Sequence, residues 1–340
     1  MPDNPSPAPS SLAATPSAPV SSMTAVAGGQ AATVDGAPPS PRRRFGWLPG
    51  FLLVLPSIIL IGIFVYYLIV RNVATSLTNR NSINKNLVVS NVGLRNYGRL
   101  FADSNYQHAL WHLLVLSVAF IGGTMIFGLL WALLLEKGIR GEGIFRAVYL
   151  FPMAISFIAA SVVWKWLLSP QKGPQAVGLN QLFHLMGMDG LQSSWWSANS
   201  SLNMTAMALP AVWQLAGYVM ALFLAGFRGI PDDQREAARM DGASEYRIYR
   251  HVIFPQLSPI ALSALIIVGH MSMKMFDLIY ALAGSNSYVA SVPATLLWQQ
   301  LSTYKYATAA ANTTILLVIV AILVVPYLIY TRRVEKRSGS

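Results

Sequence analysis

Arg228-Gly229-Ile230-Pro231-Asp232-Asp233-Gln234-Arg235-Glu236-Ala237-Ala238-Arg239-Met240-Asp241-Gly242 is a charged segment set between two long apolar runs. Pro231 suits the first position of a helix, and Asp232 and Asp233 complement the positive end of its dipole. Ala237 and Ala238 favour helix and keep one flank slim. Gly242 then predicts the stop, because glycine enters the left-handed conformation of a C-terminal cap at no steric cost.

Beyond that stop, Ser244 is a candidate N-cap for a second helix with Tyr246, Tyr249 and Ile253 at i, i+3 and i+7. Pro255 and Pro259 then predict an elbow that returns the chain to its apolar surroundings. The expectation is two short helices at a membrane surface. On composition alone, a solvated hairpin that merely links two spans fits equally well.

The flanks decide the solvent. Of 340 residues, 54% are hydrophobic and 11% charged, where a soluble domain carries about 25% charged residues. So much apolar sequence cannot hide in one water-soluble core. A helix needs about 20 mostly apolar residues to cross the hydrocarbon layer. Six stretches qualify: 50–70, 109–135, 147–168, 203–227, 255–283 and 306–330. The run 284–304 is uncharged, yet it holds Gly284, Asn286, Pro293, Gln299 and Gln300. It reads as a loop with a short helix, outside the membrane or re-entering it, because non-helical backbone survives at that depth only against protein or water.

Residues 1–44 form a Pro-, Ser-, Ala- and Gly-rich segment that ends in Arg42, Arg43 and Arg44. It cannot bury enough apolar area to offset its ordering entropy and reads as a disordered tail. The apolar region runs from 45 to 335, with the charged loop at 228–258 and a short tail at 336–340.

Charge placement gives orientation. With six spans, both termini share a side with the second-to-third and fourth-to-fifth connections, and that side carries 15 Lys and Arg against 7 on the other. The excess predicts that both termini are cytoplasmic. It also accounts for the net charge of +11 without nucleic acid, which is not expected as a partner.

Catalytic signatures are missing. Gly123 and Gly128 have phosphate-loop spacing, but Leu129 stands where the motif requires Lys. Their place inside an apolar run predicts close helix packing instead. His108 and His112 would share a helix face, yet Ala109 replaces the Glu of H-E-x-x-H and no third ligand is near. Cysteine is absent. No catalytic residue, metal or cofactor is expected in this chain.

Glu236-Ala237-Ala238-x-x-Asp241-Gly242-Ala243, followed by Ile253-x-Pro255, resembles the EAA loop of permease subunits from binding-protein-dependent ABC importers. Phe254-Pro255 replaces the usual Leu-Pro. Val92-Gly93-Leu94-x-Asn96-Tyr97-x-x-Leu100-Phe101-x-Asp103 and Phe276-Asp277-x-Ile279-Tyr280 are similar to patterns of the sugar, maltose-permease-like branch. There the family continues with Gly-Gly-Pro, where this chain has Gly284-Ser285-Asn286. The resemblance covers roughly 45–335.

It implies an all-α membrane protein of six transmembrane helices with the type I ABC importer permease fold, multi-pass in a bacterial inner membrane. It further implies a second, different permease subunit, an ATPase dimer that binds the ATP, an extracytoplasmic solute-binding protein and a carbohydrate substrate. Arg235, Glu236, Ala237, Ala238, Asp241 and Gly242 would then meet the ATPase, charges making contacts and small residues allowing close approach. A substrate site belongs near the midplane on spans four to six. Trp213 and Tyr218 offer sugar-stacking faces, and Gln214 offers donors and acceptors. His270, Ser272 and Met275 lie near positions that contact substrate in maltose-type relatives.

Lys274 and Asp277, three apart, are expected to pair on one helix face, because an unpaired charge at midplane costs at least about 2.5 kcal/mol. Lys165, flanked by Trp164 and Trp166, is expected to snorkel. Two other readings stand beside this one. An ion-coupled secondary transporter would show internal repeats and intramembrane acids, and only Asp277 is present. A permease of the same type for glycerol phosphate or a polyamine is the other.

Overall fold

The computed structural model describes residues 48–84, 88–197, 201–284 and 288–338. The tail 1–44 and Ser285-Asn286 lie outside them. The chain divides at Pro56 into two units, and the described part of the first is only the opening of helix α1. Short 3₁₀ turns apart, the described residues form twelve helices: α1 (Gly50–Ser76), α2 (Arg95–Ala102), α3 (Ser104–Glu136), α4 (Glu142–Ala154), α5 (Phe157–Leu167), α6 (Leu179–Leu185), α7 (Ser201–Arg228), α8 (Asp232–Met240), α9 (Glu245–Ser272), α10 (Asp277–Ala283), α11 (Pro293–Ser302) and α12 (Tyr306–Ser338). The described residues hold no strand, only an isolated antiparallel bridge between Thr78 and Asn91.

Five of these helices, α1, α3, α7, α9 and α12, are long and apolar enough to cross a membrane. The third expected span is broken. Helices α4 and α5 meet at 99°, because Ile155 is extended and the Ser156 hydroxyl restarts the chain as an N-cap, accepting from Ala159 N at 3.2 Å. Two bonds bring the starts of α3 and α7 to the same short segment. His112 Nδ1 near the start of α3 sits 2.9 Å from the Ser291 carbonyl, and Asn203 Nδ2 near the start of α7 donates to Val289 O at 2.9 Å. At the other end, Arg228 of α7 pairs with Glu142, just past the end of α3. α3 and α7 therefore run parallel, and the chain between them must return. Taken as one span, the bent pair brings the candidate spans among the described residues to six.

Close approach of α3 and α7 is what Gly123 and Gly128 allow. A Cβ on Gly123 would stand 2.8 Å from Val212 Cγ2, and one on Gly128 2.6 Å from Val219 Cγ1. Gly217 does the same for α4, since a Cβ there would overlap the Tyr149 carbonyl. Trp131 of α3 stacks on Tyr149 with ring centroids 4.4 Å apart. α7 is consequently the central helix, with 72% of its most apolar window buried, whereas none of that window is buried in α1 or α12.

The fifth span differs from the expectation at both ends. No elbow forms at Pro255 and Pro259: α9 runs unbroken from Glu245 to Ser272. Tyr249–Ile253 is wound as a π-helix, and Phe254 N bonds Tyr249 O, five residues back. The wider winding accommodates Pro255, which has no N–H to give. At the far end α9 stops at Ser272, and Met273–Phe276 separates it from α10. Residues 288–302 form a 3₁₀ turn and the short helix α11, in line with the loop reading.

Asn96 and Tyr97 of the Val92–Asp103 motif fasten the end of α1. Asn96 is buried and its Nδ2 donates to the Ser76 and Thr78 carbonyls, both at 2.7 Å, while Tyr97 Oη and Ser76 Oγ lie 2.6 Å apart.

Candidate functional site

The hairpin keeps the first helix and the glycine stop that the sequence prescribes, but its second arm is the start of the long α9 and not a separate short helix. Pro231 is the residue before the helix, with ψ at 137°, and Asp232 opens α8. Gly242 has φ of +75°. Its N–H donates to Arg239 O at 2.9 Å, and Ala243 N donates to Ala238 O at 3.0 Å, the paired bonds of a Schellman cap. Ser244 is the N-cap by position, but its hydroxyl caps nothing. Arg239 Nε instead holds Glu245 Oε1 at 2.8 Å across the turn.

The helical period sorts the residues of α8 onto two flanks. Ala238, with Ala243, packs against a buried cluster that contains Phe227, Ile230, Ile248 and Ile253. Glu236, Ala237, Asp241 and Gly242 are exposed. The two alanines thus serve opposite flanks, Ala238 inward and Ala237 outward. Met240 (89% exposed) and Tyr246 (71% exposed) add large apolar surface to the outer flank. Met240 lies four residues from Glu236 and three from Ala237, the spacing of one helix face. Of the Tyr246, Tyr249 and Ile253 series, Ile253 is fully covered, Tyr249 half so and Tyr246 exposed.

Arg235 is turned away from that outer flank. Its guanidinium pairs with Glu136, the last residue of α3, and the two side chains are only 16% and 5% exposed. Glu136 Oε2 also accepts from the Tyr249 hydroxyl at 2.8 Å. One carboxylate therefore ties α8 and α9 to α3. Gln256 Nε2 donates to Gln234 Oε1 at 2.6 Å and closes the hairpin on itself. Sequence reasoning missed Glu136, although a lone acid at the end of a 33-residue apolar helix facing a basic loop is a readable signal.

In the apolar region, His270, Met271, Lys274, Met275, Asp277 and Phe157 line a cavity of 250 Å³. Of the substrate candidates it gathers His270 and Met275. Ser272 is fully buried, its hydroxyl donating to Gly269 O at 2.7 Å within its own helix. The Trp213 ring lies tilted against Trp164 with centroids 6.1 Å apart, and Tyr218 is half-buried against the core. Buried Gln214 donates from Nε2 to Ile155 O, the carbonyl left over where α4 breaks from α5. Lys274 and Asp277 do not share a helix, because α9 ends at Ser272, before Lys274, and α10 begins only at Asp277; both face the cavity. Lys165 does not run free either: its Nζ lies 5.6 Å from the Trp196 ring centre. Its neighbour Trp196 has no bonded partner for its buried Nε1.

Parallel central helices, a bent apolar helix pair and a polar hairpin fastened to the end of α3 define an all-helical, membrane-embedded subunit. The chain belongs to the family described as binding-protein-dependent transport system inner membrane component, whose model matches residues 124–337. It is a permease of an ABC importer, and the ion-coupled reading is set aside. A probable ABC transporter permease protein of Pyrococcus horikoshii is 35% identical over 87% of this chain and 100% of its own. The xylose/arabinose import permease protein XacH of Haloferax volcanii is 34% identical over 71% of this chain and 75% of its own. The trehalose/maltose transport system permease protein MalF of Thermococcus litoralis is 26% identical over 79% and 90% respectively. Among solved structures, a bacterial ABC transporter involved in import of the acidic polysaccharide alginate superposes with a TM-score of 0.68 at 19% identity, covering 84% of this chain and 96% of that one. The fold is that of a type I ABC importer permease.

Proposed function

We propose that this chain translocates a carbohydrate across a bacterial inner membrane, paired with a second, different permease and driven by an ATPase dimer that binds the ATP. Both termini face the cytoplasm in this reading, and an extracytoplasmic solute-binding protein delivers the sugar. The observation that carries it is the hairpin: Glu236, Ala237, Met240, Asp241, Gly242 and Tyr246 lie bare on one flank while Glu136 holds the other to α3.

A docked hairpin of this kind acts as a lever. When ATP draws the two ATPase subunits together, α8 moves with the groove that holds it, and the tie at Glu136 passes the motion to α3 and its close partner α7. The spans then rock between inward-open and outward-open states. The ATPase states must bind the hairpin differently, or no work is transmitted.

The carbohydrate assignment draws on relatives named for xylose and arabinose or trehalose and maltose. The cavity agrees with a neutral polyol: Lys274 alone would favour an anion such as glycerol phosphate, but Asp277 opposes it in the same space. His270, Lys274, Met275 and Asp277 are the residues we assign to substrate. Radiolabelled uptake in cells that carry the intact operon or a deletion of this chain tests the reading. Loss of uptake of a sugar on deletion, restored by the chain only together with its ATPase, is the expected result. Uphill transport by the chain alone in liposomes would overturn it.

A further inference from the structure

A second, larger cavity lies at the end of α3 away from the hairpin, about 50 Å along a 33-residue helix. It measures 470 Å³ and is walled by the start of α3, α2, α11 and the start of α12. This volume falls within the range of about 300–1,000 Å³ usual for small-molecule sites. Its lining is unlike the apolar cavity by Lys274: Arg99, Asp103, Asn105, Gln299 and Lys305 face it, over a floor that includes Leu100 and Leu296. Among the described residues, the side chains of Arg99, Asn105, Gln299 and Lys305 make no hydrogen bond or ion pair. Asp103 uses one oxygen, Oδ1, to accept from Asn105 N at 2.9 Å.

Planar amides, a guanidinium and a carboxylate that converge on one space supply donors and acceptors side by side. Neighbouring hydroxyls of a sugar ring need that mixture, since each hydroxyl both gives and accepts. Arg99 and Lys305 against Asp103 leave one net positive charge around the space, and the Asp103 carboxylate adds an acceptor for ring hydroxyls that an anion could not use. The walls are also built to hold their shape. Asn312 Nδ2 donates to Gln300 Oε1 at 3.2 Å and to Pro293 O at 2.9 Å, and Asn81 Oδ1 accepts from Thr308 N at 3.0 Å.

We infer that this cavity is a saccharide-binding site on the solute-receiving face, separate from the cavity at Lys274, where one sugar unit pauses before it moves inward. The inference rests on the carbohydrate reading above. Its test exploits the absence of cysteine. Thr303→Cys at the cavity wall and Met275→Cys at the inner cavity each give the full chain in nanodiscs one reactive thiol. Maleimide labelling rates are measured with xylose, glucose, maltose and trehalose. At least one sugar should slow labelling of Thr303→Cys several-fold, and Gln299→Ala with Arg99→Met should remove that protection. Protection that survives those two substitutions, or no protection at Thr303→Cys with any of the four, overturns the inference. Labelling of Met275→Cys reads the carbohydrate assignment independently: protection there alone leaves it standing without the second site, and protection at neither position removes both.

Discussion

The Tyr249 hydroxyl lies 2.8 Å from Oε2 of Glu136, two residues 113 positions apart in the chain. The other carboxylate oxygen holds Arg235, so a single side chain at the end of α3 clamps both arms of the hairpin. A lever transmits force only where it is fixed to what it moves, and this is the fixing point. Breaking a buried ion pair by removing one partner costs about 3–5 kcal/mol, because the other charge is stranded. Glu136→Ala should therefore free the hairpin from α3. Uptake should fall at least tenfold while the protein still inserts, and protease cleavage within 228–245 should quicken. Unchanged cleavage and uptake in Glu136→Ala would remove the clamp from the mechanism.

Gly242 separates conformation from contact. Nothing lies within 4 Å of a Cβ built there, yet its φ is +75°, where a side chain costs about 1–2 kcal/mol. Gly242→Asn tolerates that backbone and should keep most uptake, and Gly242→Ala should lose a moderate part. Gly242→Glu places a charge on the exposed flank and should abolish uptake with insertion intact, as should Glu236→Lys. Transport assays beside membrane fractionation distinguish these results, and normal uptake by both charged variants would argue against docking at this flank.

The helix contact at Gly128 is a matter of volume. With Val219 Cγ1 2.6 Å from a Cβ, Gly128→Leu must push α3 and α7 apart, an overpacking cost of about 1–3 kcal/mol. The thermal midpoint in detergent should drop for Gly128→Leu and be largely restored by the compensating Val219→Gly. A midpoint that ignores the pair would mean the two helices do not depend on this approach.

Much of this was legible in the residues, and the misses share a cause. Gly242 stopped α8, Gly123 and Gly128 marked the α3–α7 contact, and the apolar stretches located five spans directly. Those are local signals, carried by backbone freedom or by hydrophobic period. The π-helix at Tyr249–Ile253, the 99° bend before α5 and the break after Ser272 depend on what packs alongside, which one-dimensional spacing does not hold. The same holds for side chains. Arg235 and Gln214 have the chemistry of contact residues, but each is bound to an element distant in sequence, Glu136 or Ile155. Met240 was passed over because an apolar residue in a charged loop reads as helix filler until its exposure is known.

Gln214 offers the sharpest separation between building a site and touching substrate. Its amide N–H serves the Ile155 carbonyl at the α4–α5 break, and its own Oε1 is buried without a partner. Leaving that carbonyl unpaired costs about 1–3 kcal/mol. Gln214→Leu should therefore loosen the bend, lowering the maximal rate of uptake and the thermal midpoint together. The concentration dependence should be unchanged, because the residue lies outside the cavity lined by His270, Lys274 and Asp277. Asp277→Asn should do the reverse: it removes a charge from the cavity without touching the bend, so the half-saturating concentration should shift while stability holds. Measuring maximal rate, half-saturation and midpoint for both variants checks the division. If Gln214→Leu changed half-saturation alone, the amide would belong to the sugar and not to the bend.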